Sequence, residues 1–446
     1  MEAHNKYLKQ YFQYLKELLM LAFPMFIGSL GHTLIGATDV LVIAKYNIKS
    51  LSAVSIANSI FFTIMILGLG ILTAVSIILS NLRGAKQKTK KYLLSSLILS
   101  LILSCIFSVF CYTSQYFISD IGLEKELLPY IKEYISIVSV SMFGIFIFEG
   151  IKQFLQSYEI VKLPNFLQLA SVVLNLIADI VFVFGCGIIP AMGSKGAAIA
   201  TLSVRMIMAV ILFVCVFKFI NFKSPIDFKY MKIIVKTGLP IGFALLFEFL
   251  AFNIVTVFAG IESSILAAVH SILITISSAT FMIPFAISTA LSVKVAYWFG
   301  AKKPVEIKNY SYTALYTVLG FMTLISLILA VFPKQIISIF TSDNEVMKIA
   351  LPLISIVAAY QIFDGFQCVT GAVLKGFKLT KTVTATVLTG YWLAGAPIAY
   401  LLVDKYGMSL RGYWIALAVA LCTMGFIQAA IAKNYYKRLI KIQPVS

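Results

Sequence analysis

Long apolar stretches alternate with short polar segments rich in lysine along the whole chain. Residues 50–82, 263–293, 309–333 and 382–403 contain no Asp, Glu, Lys or Arg. Roughly 20 helical residues cross the hydrocarbon core of a bilayer, so runs of this length read as membrane spans. The period-two alternation of a membrane β-barrel is absent. Twelve helical spans are predicted, at residues 16–43, 51–80, 92–113, 131–154, 164–187, 196–217, 237–259, 265–293, 310–331, 351–374, 382–403 and 412–432. The fourth is the weakest, because its uncharged run ends at Glu149 and Lys152; without it the basic loops would alternate wrongly. Residues 1–16 are polar and basic. The apolar segment after them is too long for a signal-peptide core and has no small-residue cleavage pattern, so it reads as a retained first span.

Composition agrees with this pattern. The 446 residues are 60% hydrophobic and 12% charged, against about 25% charged in soluble domains. A soluble two-domain enzyme is excluded. The net charge of +18 would suit nucleic acid, but its distribution does not. With twelve spans, 26 Lys and Arg fall on the side of both termini, nine on the other, and Arg205 lies within a span. Such an excess marks the cytoplasmic face. The positive charge is therefore topological, both termini are expected in the cytoplasm, and no nucleic-acid partner is expected. Six cysteines without a CxxC and three histidines (His4, His32 and His270) make a zinc site or a disulfide framework improbable.

The chain also repeats itself. Leu21-Ala-Phe-Pro24 matches Thr237-Gly-Leu-Pro240, and Arg83-Gly-Ala-Lys86 matches Phe299-Gly-Ala-Lys302, each 216 residues on. Leu155-Gln-Ser-Tyr158 pairs more loosely with Leu374-Lys-Gly-Phe377, 219 residues on. Six spans separate the copies, so both halves have the same orientation. Parallel repeats of this kind are a transporter signature. The expected lobes are residues 1–222 with helices 1–6 and residues 223–446 with helices 7–12, joined by the polar stretch 218–236.

Ionisable groups in mid-span are costly and usually face a cavity or a partner. Asp39, Asp179, Glu248 and Asp364 lie within spans and have no basic residue three or four positions away. Loss of water disfavours a charged carboxylate, so such a group favours a proton or a metal cation, which suits a coupling site. The alternative is an acid that only bonds neighbouring helices. Asn175 and Asp179 are four apart and share a helix face. With a hydroxyl from Thr201 they could replace part of a sodium ion's water shell, or they could simply hydrogen-bond adjacent helices. Arg205 reads as a structural or snorkelling residue, Glu149 as interfacial beside Lys152, and His270 as a helix–helix hydrogen-bonding group. Pro24, Pro240, Pro284 and Pro397 interrupt spans and kink them; Pro24 and Pro240 are candidate bending points. The 35 Phe and 22 Tyr could in part line a pocket for flat cations.

Taken in order, Leu21-Ala-Phe-Pro24, Ile35-Gly-Ala-Thr-Asp39, Leu51-Ser-Ala-Val-Ser55 and Arg83-Gly-Ala-Lys86 resemble the opening of the MATE family, multidrug and toxic compound extrusion. Gly238-Leu-Pro240, Leu246-Phe-Glu248, Ala267-Ala-Val-His270, Met282-Ile-Pro284, Phe299-Gly-Ala301, Tyr360-Gln-Ile-Phe-Asp364, Leu374-Lys-Gly376 and Tyr391-Trp-Leu-Ala-Gly395 extend the resemblance through the second half. It implies an all-α integral membrane fold of twelve transmembrane helices in two pseudo-symmetric six-helix bundles around a V-shaped cavity. It also implies antiport: export of organic cations as multidrug efflux, driven by sodium or protons. Glu248 and Asp364 match the acids of the NorM branch that bind cation and drug in the C-lobe. Asp39, Asn175, Asp179 and Thr201 resemble an N-lobe sodium site of DinF-like members, with sodium expected at Asp39, Asn175 and Asp179. The family's N-lobe tyrosine on helix 4 is not placed by the sequence. Leu374-Lys-Gly376 carries lysine where arginine is expected, which keeps the charge and loses the fork geometry.

The expectation is thus a monomeric, multi-pass protein of the cell inner (plasma) membrane. Its partners are small organic cations and membrane lipid; it needs no cofactor and is not an enzyme. A lipid-linked oligosaccharide flippase of the same superfamily is the alternative, and it should show a cationic cavity for pyrophosphate. An intramembrane enzyme would need a Ser/His, HExxH or GxGD-type set, and a channel a filter-like loop. Neither is found in the sequence.

Overall fold

The computed structural model describes residues 2–118 and 124–442, with side chains between residues 9 and 441. His4 and Lys6 are outside the described side chains. Regular structure among the described residues is helical. In order the helices are α1 (Glu2–Ala44), α2 (Ile48–Gly84), α3 (Tyr92–Phe117), α4 (Leu128–Val140), α5 (Met142–Ser157), α6 (Lys162–Phe184), α7 (Ser194–Val216) and α8 (Phe228–Glu262). Then follow α9 (Ser264–Gly300), α10 (Pro304–Val331), α11 (Pro333–Ser338), α12 (Asn344–Gly376), α13 (Thr380–Val387), α14 (Ala396–Tyr400) and α15 (Ser409–Ile442). Among the described residues, twelve segments are long and apolar enough to cross a membrane, and each overlaps one predicted span.

The helices outrun their apolar centres. Helix α8 starts at Phe228, so the connection from α7 is shorter than the expected 218–236. Backbone hydrogen bonding continues past the edge of the apolar run, whereas hydropathy registers only the lipid-facing part. The fourth span is two helices, α4 and α5, broken at Ser141. Ser136, Ser139 and Ser141 each turn their hydroxyl back to the carbonyl three residues before. Back-bonding of this kind bends helices. The eleventh span also departs from a regular α-helix, being π-helical over Leu388–Gly395 and Leu401–Lys405. Pro397 lies two residues past the first of these wide turns, and Pro352 is a further interior proline, in α12.

Two compact units are present. One comprises Met1–Phe26, Arg83–Lys86 and Phe243–Ser446, the other Ile27–Leu82 and Gln87–Gly242. Relative to the expected halves, short segments are exchanged. Within α1 and α8 the division falls two residues after Pro24 and Pro240 respectively. In the unit containing the C-terminus, one face of α1 is tied down at three-residue intervals. Tyr11 bonds Thr317 at 3.1 Å, Tyr14 donates to Glu306 at 2.9 Å, and Glu17 accepts from Tyr310 and, at 3.5 Å, from Lys294.

The internal repeat reappears in the backbone. Lys86 and Lys302 both have φ 58°, and Glu159 and Lys378 both have φ 63°. Each closes a helix with the same backbone hydrogen bond from the residue that follows it: Gln87 to Leu82, Ile160 to Leu155, Lys303 to Trp298 and Leu379 to Leu374 at 2.9–3.0 Å. These are left-handed helix ends that glycine usually takes, kept here by non-glycine residues at matched positions.

In the other unit, α1 and α6 run side by side in a fixed register. A Cβ on Gly31 would sit 2.7 Å from the Gln168 carbonyl oxygen, and Gly28 faces Asn165 in the same register. Bare glycines let the two backbones approach, as in many membrane helix pairs. Gly36, further along, has nothing near its Cβ position. Gly31→Val is therefore expected to destabilise the fold by about 1–3 kcal/mol through overpacking, while Gly36→Ala is nearly neutral. Thermal unfolding in detergent checks this; equal midpoints for the two variants would contradict the close approach.

Candidate functional site

Helix α6 is amphipathic in the sense opposite to a soluble helix. Asn165, Ser171, Asn175 and Asp179 are buried, while Val173, Leu174, Ile177 and Ile180 are exposed. Lipid takes the apolar face, and the polar stripe turns inward. Continuing the α1–α6 register past Gly31 and Gln168 brings Thr38 and Asp39 opposite Asn175. Helix α7 completes the set. Its start folds back on α6 through Met192 and Gly193 amides bonded to Phe182 and Val183 carbonyls, which leaves Thr201 facing Asp39.

The four residues singled out in the sequence thus form one cluster. Asn175 Nδ2 donates to Asp39 Oδ1 at 2.6 Å and to Asp179 Oδ2 at 2.8 Å. Thr201 Oγ1 donates to Asp39 Oδ2 at 3.2 Å, and Thr38 Oγ1 lies 3.4 Å from the Asn175 amide. All four are essentially buried. Two carboxylates held to one amide repel each other when both are charged, so the site favours one proton or one cation between them. Asn175 Oδ1 and Asp179 Oδ1 have no hydrogen-bond partner. Half a turn of the amide would bring its oxygen between the carboxylates, and the convergent oxygens would then suit a hard cation.

Two neighbours escaped the sequence reading. Thr38 is adjacent to Asp39 but carries no signal of its own. Tyr134 in α4 is fully buried and donates to Asn58 Oδ1 at 3.1 Å. It is the buried tyrosine of the fourth span. Arg205 is held structurally: Nη1 donates to Ser141 Oγ at 2.7 Å, and the guanidinium lies 4.9 Å from the Phe61 ring centre. Glu149 pairs with Lys152 at 3.2 Å and accepts from Gln153 at 2.7 Å.

The second pair of acids meets in the unit containing the C-terminus. Glu248 from α8 and Asp364 from α12 line one cavity of about 340 Å³. Phe249, Phe252, Phe281 and Tyr360 supply aromatic walls, and Asn253, Thr256, Ser277 and Ser278 supply polar groups. Tyr391, from the first wide π turn, donates to Glu248 Oε1 at 3.4 Å. Phe252 meets Tyr360 and Tyr391 edge-on. His270 stands behind Thr256, 3.2 Å from its hydroxyl, and packs edge-on against Trp414. Among the described residues none of the four acids has a basic group within 4.0 Å. Pro24 and Pro240 belong to neither cluster.

Removing single donors should rank the bonds of the first cluster. Thr201→Val is expected to lower stability by about 1.5–3 kcal/mol, the range for a hydrogen bond to a charged group. Asn175→Leu strips donors from both carboxylates and should cost about 3–5 kcal/mol, as for a buried charge left unpaired. Identical unfolding midpoints for the parent and both variants would show that these bonds do not form.

Comparison with known proteins agrees with this architecture. The MatE family model matches residues 24–181 and 240–401, one match in each half of the chain. A probable multidrug resistance protein NorM from Photorhabdus laumondii is 26% identical over 96% of this chain and 97% of its own. A protein of the same name from Bacillus subtilis is 27% identical over 96% of each. Among solved structures, a MATE protein in the bent conformation superposes with a TM-score of 0.89 at 18% identity, covering 97% of each chain; a likeness at that identity shows the fold alone. The chain belongs to the MatE family, that of the MATE transporters.

Proposed function

We propose that the chain is a secondary active antiporter that exports small organic cations, as in multidrug efflux, in exchange for sodium ions or protons. The observation that carries this reading is the cavity holding Glu248 and Asp364, with aromatic walls and no basic lining residue. A flat cation would find carboxylates for its charge and ring faces for its body. The names of the curated relatives, multidrug resistance proteins, point the same way. A pyrophosphate-linked substrate needs the opposite charge, which this cavity does not supply.

In this reading Asp39, Asn175, Asp179 and Thr201 hold the coupling cation, while Glu248 and Asp364 hold the substrate or a competing ion. Ion and substrate must prefer different conformations, since a ligand with equal affinity for both shifts nothing. Pro24 and Pro240 serve as bending points; their place beside the unit divisions of α1 and α8 supports that role. The lysine and arginine excess supports cytoplasmic termini in the cell (inner or plasma) membrane. Each cluster is complete within one unit of a single copy, which supports a monomer.

Efflux of a fluorescent organic cation from proteoliposomes, under sodium and proton gradients imposed separately, tests the proposal. One gradient should drive export. Asp39→Asn, Glu248→Gln and Asp364→Asn should each reduce it about tenfold or more, as expected when a desolvated charge partner is lost. Normal export with unchanged ion dependence in all three variants would sink the assignment.

A further inference from the structure

A second cavity, of about 250 Å³, opens among α10, α12 and α15. Its rim carries Lys308 and Lys433 with the Ser311, Tyr312 and Tyr436 hydroxyls. Its floor is apolar, running from Phe377 through Val373 and Val369 to Phe366 and Leu315. Lys308, Ser311, Tyr312 and Leu315 share one face of α10, and seven residues of helix separate Lys308 from Leu315, about 10 Å. The groove is thus charged at the end of the spans and apolar towards their middle.

No acidic residue lines the groove, and neither lysine has a carboxylate within 4.0 Å among the described residues. Glu306, two positions before Lys308, accepts instead from Tyr14. Both lysines are exposed, and Lys308 lies 5.8 Å from the Tyr312 ring centre. Two unneutralised cations above an apolar slot repel a cationic substrate. They match an anion that brings a hydrocarbon chain with it.

We propose that this groove binds an anionic phospholipid. Its phosphate sits between Lys308 and Lys433, with hydrogen bonds from the rim hydroxyls, and one acyl chain lies over Val369 and Leu315. The leaflet is the one that faces the lysine-rich ends of the spans. The site is separate from both acid clusters and rests only on the chain spanning a membrane, so its test is independent of the transport reading.

The test uses the full chain in nanodiscs of phosphatidylcholine containing a small fraction of fluorescent phosphatidylglycerol. The parent should enrich phosphatidylglycerol over labelled phosphatidylcholine. Each lysine near a membrane surface contributes about fivefold to such binding, so Lys308→Ala with Lys433→Ala should lose more than about tenfold. The double variant Lys334→Ala with Lys405→Ala, which removes charge elsewhere, should lose nothing. Leu315→Trp fills the floor without changing charge and should also reduce enrichment, which keeps the test open if the lysine variant fails to fold. Soluble glycerol phosphate should not displace the lipid. Retained enrichment in Leu315→Trp and in a folded lysine variant, equal loss in the control, or displacement by glycerol phosphate each overturns the proposal.

Discussion

Water is missing from the hydrocarbon core of a bilayer, and that single constraint shapes most of what is seen here. Every polar group carried into the membrane must find its partner within the protein. Backbone groups do so by forming helices throughout. Serine and threonine hydroxyls do so by turning back to carbonyls of their own helix, as at Ser100, Ser104 and Ser141. Arg205 finds Ser141 and the Phe61 ring. Among the described residues, the mid-span acids Asp39, Asp179, Glu248 and Asp364 have no basic group within 4.0 Å.

The constraint also explains how the first cluster is assembled. A polar stripe on α6 can only be buried against another helix, and close burial needs small residues on the facing backbone. Gly28 and Gly31 supply them on α1. The resulting register places Asp39 against Asn175 two turns further on, without any loop being involved. The second cluster is built differently: a cavity between helices, closed by aromatic rings and by a tyrosine on a widened π turn. Wide turns of this kind recur at functional positions in helices. The two halves match in backbone, with left-handed residues at 86 and 302 and at 159 and 378, yet surround their acids with different side chains. One holds a compact cluster of two carboxylates bridged by an amide, and the other an aromatic-walled acid pocket.

Helices α1 and α8 each pass from one compact unit to the other close behind a proline. An interior proline removes one backbone hydrogen bond, so bending is cheapest there. The ladder from Tyr11, Tyr14 and Glu17 fastens the first part of α1 with side-chain bonds, which are easier to exchange than backbone ones.

Much of this was legible in the sequence, and for a physical reason. Membrane insertion writes itself into composition, since about twenty apolar residues are needed for each crossing; the twelve spans, the repeat and the cost of mid-span charge follow from linear order. So did Asp39, Asp179, Glu248 and Asp364 as candidates, because an acid in an apolar run stands out; Asn175 followed from sharing a helix face with Asp179, and Thr201 from the family resemblance. What linear order does not contain is which helices touch. Only the tertiary structure decided that Asn175 stands between Asp39 and Asp179, that Tyr360 and Tyr391 join the second pair of acids, and that the fourth span breaks at Ser141. Tyrosine and serine are common in membrane helices and carry no mark of their role. Their function depends on a partner tens or hundreds of residues away, and that distance closes only when the helices pack.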